Sequence, residues 1–509
     1  MAEPTKGRQV LSEERSDLAS LVSQLMIMNA PQRNPVRAAF AYAGMVAGAV
    51  GLFLLIRRSG EMLSAADRTA SARLAAAGPA GDTFWHLLVA LAAVVIIGRS
   101  LGRVFRKIHQ PPVIGEVVGG VLLGPSLLGA ISPSAYHFIL PPSVVPSLAI
   151  VSQLGVMLYM FLIGVELNPN LLRGQVHATV ATSHASIVLP FVLGAGLALF
   201  LYPRFSTSDV QFTSFALFLG IAMSVTAFPV LARILSDLGM KKTELGTIAL
   251  SCAAVDDVTA WCLLALVVGI VESSAESALS VTVLTLGFIV VMFVIVRPAI
   301  AARLRRVDDR EPTRGAIAVT VVGLLASALL TEAIGVHAVF GAFLFGAVIP
   351  HNSKLAHALI QTFENLVTIL LLPAFFAFAG MRTEIGLIST WSAWFACGLV
   401  IVAATIGKFG GTLVAGHFTG LSWRRAAALG ILMNTRGLMQ LIVLNIGLDL
   451  GIISPTIFTM MVLMALVTTI AATPVLQRLT RVTPFVTYAR QPTLPYGVVQ
   501  TDRVVPRID

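Results

Sequence analysis

Two aspartates stand side by side in Ser251-Cys-Ala-Ala-Val-Asp-Asp-Val-Thr-Ala-Trp261, near the middle of an apolar stretch long enough to cross a bilayer. One ionisable group at that depth costs roughly 2.5–3.5 kcal/mol on insertion scales, so a pair is kept only where it faces protein or water and acts there, as an ion or proton site does. Neighbouring helical residues point about 100° apart, so one carboxylate is free to line an aqueous cavity while the other meets a partner inside the bundle. The plainer alternative is that Asp256 and Asp257 only brace adjacent helices.

Other polar groups in apolar surroundings supply what such a site needs. Lys408, in Gly407-Lys-Phe-Gly-Gly411, is the cationic partner for a buried aspartate; snorkelling of its amine to an interface is the competing reading. Met223-Ser-Val-Thr-Ala-Phe-Pro229 and Met433-Asn-Thr-Arg-Gly-Leu-Met-Gln440 interrupt two further apolar runs. Pro229 has no N–H for the carbonyl of Val225 and is expected to break its helix. Asn434, Thr435 and Gly437 mark the second break, and the hydroxyls of Ser224 and Thr226 are candidate cation ligands or caps for freed backbone groups. Arg436 cannot be neutralised at working pH and reads as a structural charge balancing dipole ends and carboxylates where its helix breaks. Glu116 sits among Gly115, Gly119, Gly120 and Gly124, a small-residue spacing that argues for close helix packing. Glu166, Glu332, His337 and Glu364 lie near span ends, where interfacial or structural roles are expected.

The elements that must hold these groups are membrane helices. Of 509 residues, 56% are hydrophobic and 12% charged, which excludes an ordinary soluble domain, and the recurring runs of about 20 apolar residues exclude a β-barrel. The formal charge of +10 is spread over short loops, so it speaks for membrane orientation and against nucleic acid. Cys252, Cys262 and Cys397 all lie in apolar segments and form no disulfide or metal pattern.

The chain divides into a polar tail (1–35), an accessory transmembrane helix with its loop (36–83), a main membrane domain (84–480) and a second tail (481–509). The tail carries no apolar core of a standard signal peptide; a late-cleaved signal anchor competes with the accessory-helix reading of the run from Ala38 to Ile56. Thirteen spans follow: 84–102, 111–130, 146–167, 176–202, 212–235, 244–272, 278–298, 315–334, 337–350, 357–381, 391–416, 424–448 and 453–476. Arg103, Arg106, Lys107, Arg173, Arg233, Lys241, Lys242, Arg303, Arg305, Arg306, Arg310, Arg314, Arg424, Arg425, Arg478 and Arg481 all fall on one side, assigned to the cytoplasm together with both termini; Arg57 and Arg58 fall on the other. Six spans, a linker and six more place the two halves in opposite senses, and a broken helix at the fifth position of each half points to a midplane binding site.

Several long motifs carry a family resemblance over residues 84 to 480. Gln110-Pro-Pro-Val-Ile-Gly-Glu-Val-Val-Gly-Gly-Val-Leu-Leu-Gly-Pro-Ser126, Phe161-Leu-Ile-Gly-Val-Glu-Leu167, the aspartate pair, Gly335-Val-His-Ala-Val-Phe-Gly-Ala-Phe343, Leu372-Pro-Ala-Phe-Phe-Ala-Phe-Ala-Gly380 and Asn434-Thr-Arg-Gly437 resemble the monovalent cation:proton antiporter-2 family. The resemblance implies an all-helical inverted-repeat antiporter with two crossing broken helices, a homodimer in the cell membrane whose core domain moves like an elevator against a dimerisation panel, and no cofactor. It implies that Asp257 binds the monovalent cation (Na⁺ or K⁺) or the proton, and that Asp256 pairs with Lys408. Plant relatives often have asparagine at Asp256, so the Asp-Asp form resembles electrogenic bacterial Na⁺/H⁺ antiporters and favours Lys408 as a proton carrier over a purely structural ion pair. Nucleotide-gated regulation of the Kef kind is not expected, since the chain ends about 30 residues after the last span. A gated cation channel and a diaspartyl intramembrane protease are the alternatives; the protease needs its aspartates on two facing helices.

Overall fold

The computed structural model describes residues 35–65, 80–108, 110–166, 176–240, 243–272, 275–305 and 312–480. Both tails of the sequence reading, apart from Pro35, and most of the loop after the accessory helix lie outside these residues. Among the described residues every regular element is a helix. In chain order they are α1 (Pro35–Gly60), α2 (Ala80–Lys107), α3 (Pro112–Leu123), α4 (Leu128–Ile131), α5 (Pro133–Ile139), α6 (Val145–Glu166), α7 (Val176–Phe205), α8 (Phe212–Ser224), α9 (Phe228–Asp237), α10 (Glu244–Glu272), α11 (Ala275–Val291), α12 (Arg297–Arg305), α13 (Arg314–Ile334), α14 (Ala338–Val348), α15 (Lys354–Leu366), α16 (Leu372–Met381), α17 (Trp391–Thr405), α18 (Gly411–Phe418), α19 (Trp423–Met433), α20 (Leu438–Asp449) and α21 (Pro455–Thr480). Wide turns at Met292–Val296, Val367–Leu371 and Ile406–Gly410 join α11 to α12, α15 to α16 and α17 to α18 without ending the helix.

Among the described residues twelve helical stretches are long and apolar enough to cross a membrane, and α19 with α20 makes one more across a 46° bend. The expected span at 337–350 is the exception. It is the 11-residue helix α14, which at 1.5 Å per residue is about 16 Å long and falls short of a hydrocarbon core of about 30 Å.

The helices sort into two layers, each drawing on both halves of the chain. α2, α3 and α6 pack with α13, α14, α15 and α16, whereas α7 to α10 pack with α17 to α21. Within the first layer, α3 crosses α16 and α14 crosses α6. A Cβ on Gly120 would come within 3 Å of the Ala377 backbone, and one on Gly346 would land on the Phe161 carbonyl. Their partners Gly380 and Gly164 are equally tight, and Gly115 and Gly341 stand just as close to the preceding helices α2 and α13. The glycines of Gly115-Glu-Val-Val-Gly-Gly120 therefore recur at the same spacing in Gly341-Ala-Phe-Leu-Phe-Gly346. These contacts are the close packing the sequence assigned to the glycines around Glu116, repeated in the second half, as small residues at membrane helix crossings allow.

Outside the two layers, α1 lies along α7 and α8. Tyr42 meets His184 edge to face, Phe53 meets Phe191, and Glu61 accepts hydrogen bonds from Arg57 (2.6 Å) and Thr213 (3.3 Å).

Candidate functional site

Both broken helices are present, and they cross. α8 ends at Ser224 and α9 begins at Phe228, while α19 ends at Met433 and α20 begins at Leu438. The extended segments between them touch where Ala227 N donates to Thr435 O at 3.1 Å. The helix is interrupted just before Pro229, between Ser224 and Phe228. Pro229 itself sits in the first turn of α9, where a free N–H is not needed, so it opens the second segment of the broken helix. Gly437 has extended backbone, and a Cβ there would come to 2.5 Å from the Val230 side chain in the first turn of α9, so a larger residue at the second break would have to displace that side chain.

Each break leaves helix-end carbonyls without backbone partners, and in hydrocarbon something must satisfy them. Arg436 does so for α8. Its guanidinium donates to the carbonyls of Met223 (2.7 Å), Ala222 (3.3 Å) and Val225 (3.4 Å) and to Gln440 Oε1 (2.8 Å). It is buried at the negative end of the other half's helix, and its partners are carbonyls and an amide rather than the carboxylates the sequence also suggested. Thr435 Oγ1 caps Leu432 O at 2.8 Å, and Thr469 on α21 clamps the Arg436 backbone through both its N–H and its carbonyl.

Asp256 and Asp257 project from α10 beside this crossing. Asp256 is fully buried and completely partnered. Ser183 donates to Oδ1, while Ser186 (2.8 Å), Thr226 (2.7 Å) and the Lys408 ammonium (2.7 Å) donate to Oδ2. Lys408 does not snorkel: it is 0% exposed, and its other donors reach the Ser224 carbonyl (2.6 Å) and Ser186 Oγ (3.4 Å). The wide turn Ile406–Gly410 carries it, and Gly407 and Gly411 bring that turn against α7 so closely that a Cβ on either would lie 2.6 Å from Pro190 Cα or Ala185 O. Turns of this kind occur frequently at functional sites.

Asp257 is just as deeply placed at 3% exposure, yet its Oδ1 has no hydrogen-bond partner among the described residues. The two carboxylates thus divide as the 100° rotation requires, one locked in an ion pair and the other holding an unused oxygen. Thr226 donates a hydrogen bond to Asp256 and also lies 3.3 Å from Met433 O; Ser224 uses its hydroxyl on Ile187 O and Gly220 O. No sequence motif singles out Ser183 and Ser186. Their spacing of three places both on one face of α7.

A family model for the transmembrane sodium/hydrogen exchangers matches residues 89–482. The chain belongs to the sodium/hydrogen exchanger family. The exchanger is 43% identical to the Na⁺/H⁺ antiporter NhaS4 of Synechocystis sp. over 78% of its own length and 98% of that protein. It is 40% identical to cation/H⁺ antiporter 17 of Arabidopsis thaliana over 76% of this chain and 47% of the relative, and 34% identical to K⁺/H⁺ antiporter 1 of Saccharomyces cerevisiae over 73% and 44%. It spans about half the length of these plant and yeast relatives. The sodium proton antiporter MjNhaP1 of Methanocaldococcus jannaschii shares the fold with a TM-score of 0.57 over 78% of this chain and 96% of that one, at 15% identity. The exchanger is a multi-pass membrane transporter and not an enzyme, which removes the protease alternative and leaves the channel without support. Helix α1 precedes the matched residues.

Proposed function

We propose that the chain exchanges a monovalent cation, Na⁺ or K⁺, for protons by alternating access, with Asp257 as the carboxylate for which both compete. The observation that carries this reading is the asymmetry of the pair. Asp256 has four donors, whereas Asp257 keeps a buried oxygen with no partner among the described residues. A carboxylate that bare is costly in hydrocarbon, and either a proton or a dehydrated cation neutralises it. If only the neutralised site crosses the barrier, exchange is obligatory with no separate coupling device.

Lys408 is the second proton carrier in this scheme. Three hydroxyls remain on Asp256 when the ammonium gives up its proton; with that proton and the one on Asp257 exchanged for a single monovalent cation, one net charge would cross per cycle. The layer holding α7 to α10 and α17 to α21 moves as the core against the layer holding α2, α3, α6 and α13 to α16, in a homodimer. The protein resides in the cell membrane with Arg103, Arg233, Arg424 and Arg478 toward the cytoplasm. Exposed Phe84, Trp85, Trp391 and Trp394, at the opposite helix ends, fit the outer aromatic belt.

The test is cation-dependent pH change in proteoliposomes, with Na⁺, K⁺, Rb⁺ and Li⁺ compared. Exchange predicts proton movement on addition of at least one of these ions and no cation leak without a proton gradient. Cation flux that needs no counter-moving proton is the channel result and sinks the proposal.

A further inference from the structure

We infer that the side-chain amide of Asn434 is a ligand of the transported cation, contributed by the second broken helix and facing the same ion as Asp257. The inference rests on the assignment of Asp257 as the ion-binding carboxylate and extends it to the ligand set.

Asn434 caps the C-terminal end of α19 and is 5% exposed, yet its Oδ1 has no hydrogen-bond partner among the described residues. Buried polar atoms are nearly always satisfied, so an orphan at a crossing of unwound segments asks for a partner that the protein does not supply. Asp257 Oδ1 is an orphan of the same kind, an acceptor with no donor.

The fold brings the two residues to one place. α10 and α19 run side by side in the same direction: Arg425 in the first turn of α19 reaches Glu244 at the start of α10 at 3.1 Å. Further along, Ala249, Leu250, Cys252 and Ala253 share one buried cluster with Ala428, Leu429, Leu432 and Met433. Asp257 follows Ala253 by one turn on the same face, and Asn434 follows Met433 directly. Thr226 ties the two helices at this level, since its hydroxyl lies 2.7 Å from Asp256 Oδ2 and 3.3 Å from Met433 O. The residue that follows each of these two acceptors carries an orphan oxygen.

The unmet need at this spot is for positive charge rather than for an apolar group. Two acceptor oxygens, a carboxylate and an amide carbonyl, form the donor set that a hard cation takes when it sheds water. A proton satisfies Asp257 alone, whereas a cation satisfies both. Asn434 therefore acts in cation affinity and in the choice among alkali ions, and not in proton release.

The experiment compares purified full-length Asn434→Leu, Asn434→Asp and Asp257→Asn with the unsubstituted chain in proteoliposomes, together with the melting temperature with and without saturating Na⁺ or K⁺. Loss of a hydrogen-bond-strength contact to a charged group corresponds to about a tenfold or greater rise in the apparent KM for the cation in Asn434→Leu. Asn434→Leu should also melt no lower than the parent without cation and lose the cation-induced stabilisation; Asn434→Asp, which keeps an oxygen there, should retain it. An unchanged KM and undiminished cation-induced stabilisation in Asn434→Leu, or loss of that stabilisation in a folded Asn434→Asp, overturns the inference. Should Asp257→Asn exchange normally, the underlying assignment fails instead, whatever the Asn434 variants do.

Discussion

Asp256 is held by three hydroxyls as well as by Lys408, which changes what removal of the lysine should cost. Breaking a buried ion pair from one side typically destabilises by about 3–5 kcal/mol because the remaining charge is stranded. Here Ser183, Ser186 and Thr226 still donate to the carboxylate, so Lys408→Gln is expected to fold and to fall below that range in thermal or denaturant unfolding. The carrier role predicts more: exchange by Lys408→Gln becomes insensitive to membrane potential, and adding Asp256→Asn recovers stability without recovering charge movement. Voltage sensitivity fully retained in an active Lys408→Gln protein makes the lysine purely structural. The partnership of Lys408 with an aspartate was legible because a lysine deep in an apolar span has few ways to stay charged. The serines were not legible, because most hydroxyls in membrane helices bond their own backbone, as Thr285 does to Val281 and Thr412 to Lys408.

At the scale of elements, the spans and the two breaks could be read directly, since a bilayer demands long apolar helices and penalises each interruption. What a single chain could not reveal was the use made of the interruptions: Pro229 opens a helix, and Arg436 caps the helix of the other half. The short helix α14 was equally concealed, because a glycine-containing apolar run looks the same whether it crosses the membrane or stops against a neighbour. The crossings of α3 with α16 and of α14 with α6 leave no room for side chains at Gly120, Gly164, Gly346 and Gly380. Overpacking of a tight core typically costs about 1–3 kcal/mol, and a backbone contact is the least forgiving kind. Gly346→Val and Gly120→Val should therefore lower the melting temperature to similar extents, as symmetry-related positions. Gly48→Val in α1, where a Cβ meets nothing within 4 Å, serves as the control and should be neutral; equal losses at all three would remove the packing argument.

Most of the described helices form two layers with a cleft between them. Val113, Ile114 and Val117 of α3 face Val230, Arg436, Gly437 and Leu441 of the crossing, with Val462, Ala465, Leu466 and Thr469 of α21 closing the side. If the layers slide, a bridge across this cleft must stop transport. Val117→Cys with Leu441→Cys, in a background lacking Cys252, Cys262 and Cys397, is expected to lose exchange on crosslinking and to regain it on reduction; undiminished exchange in the crosslinked protein rules out relative motion of these layers. In the proposed mechanism such a movement serves one chemical event, the competition of proton and cation for the Asp257 oxygen that has no partner among the described residues. The most direct measurement is cation-dependent pH change in proteoliposomes containing Asp257→Asn, whose amide neither releases nor accepts the proton. The account predicts a folded protein with no cation-dependent proton movement, and near-normal movement by that variant would contradict it.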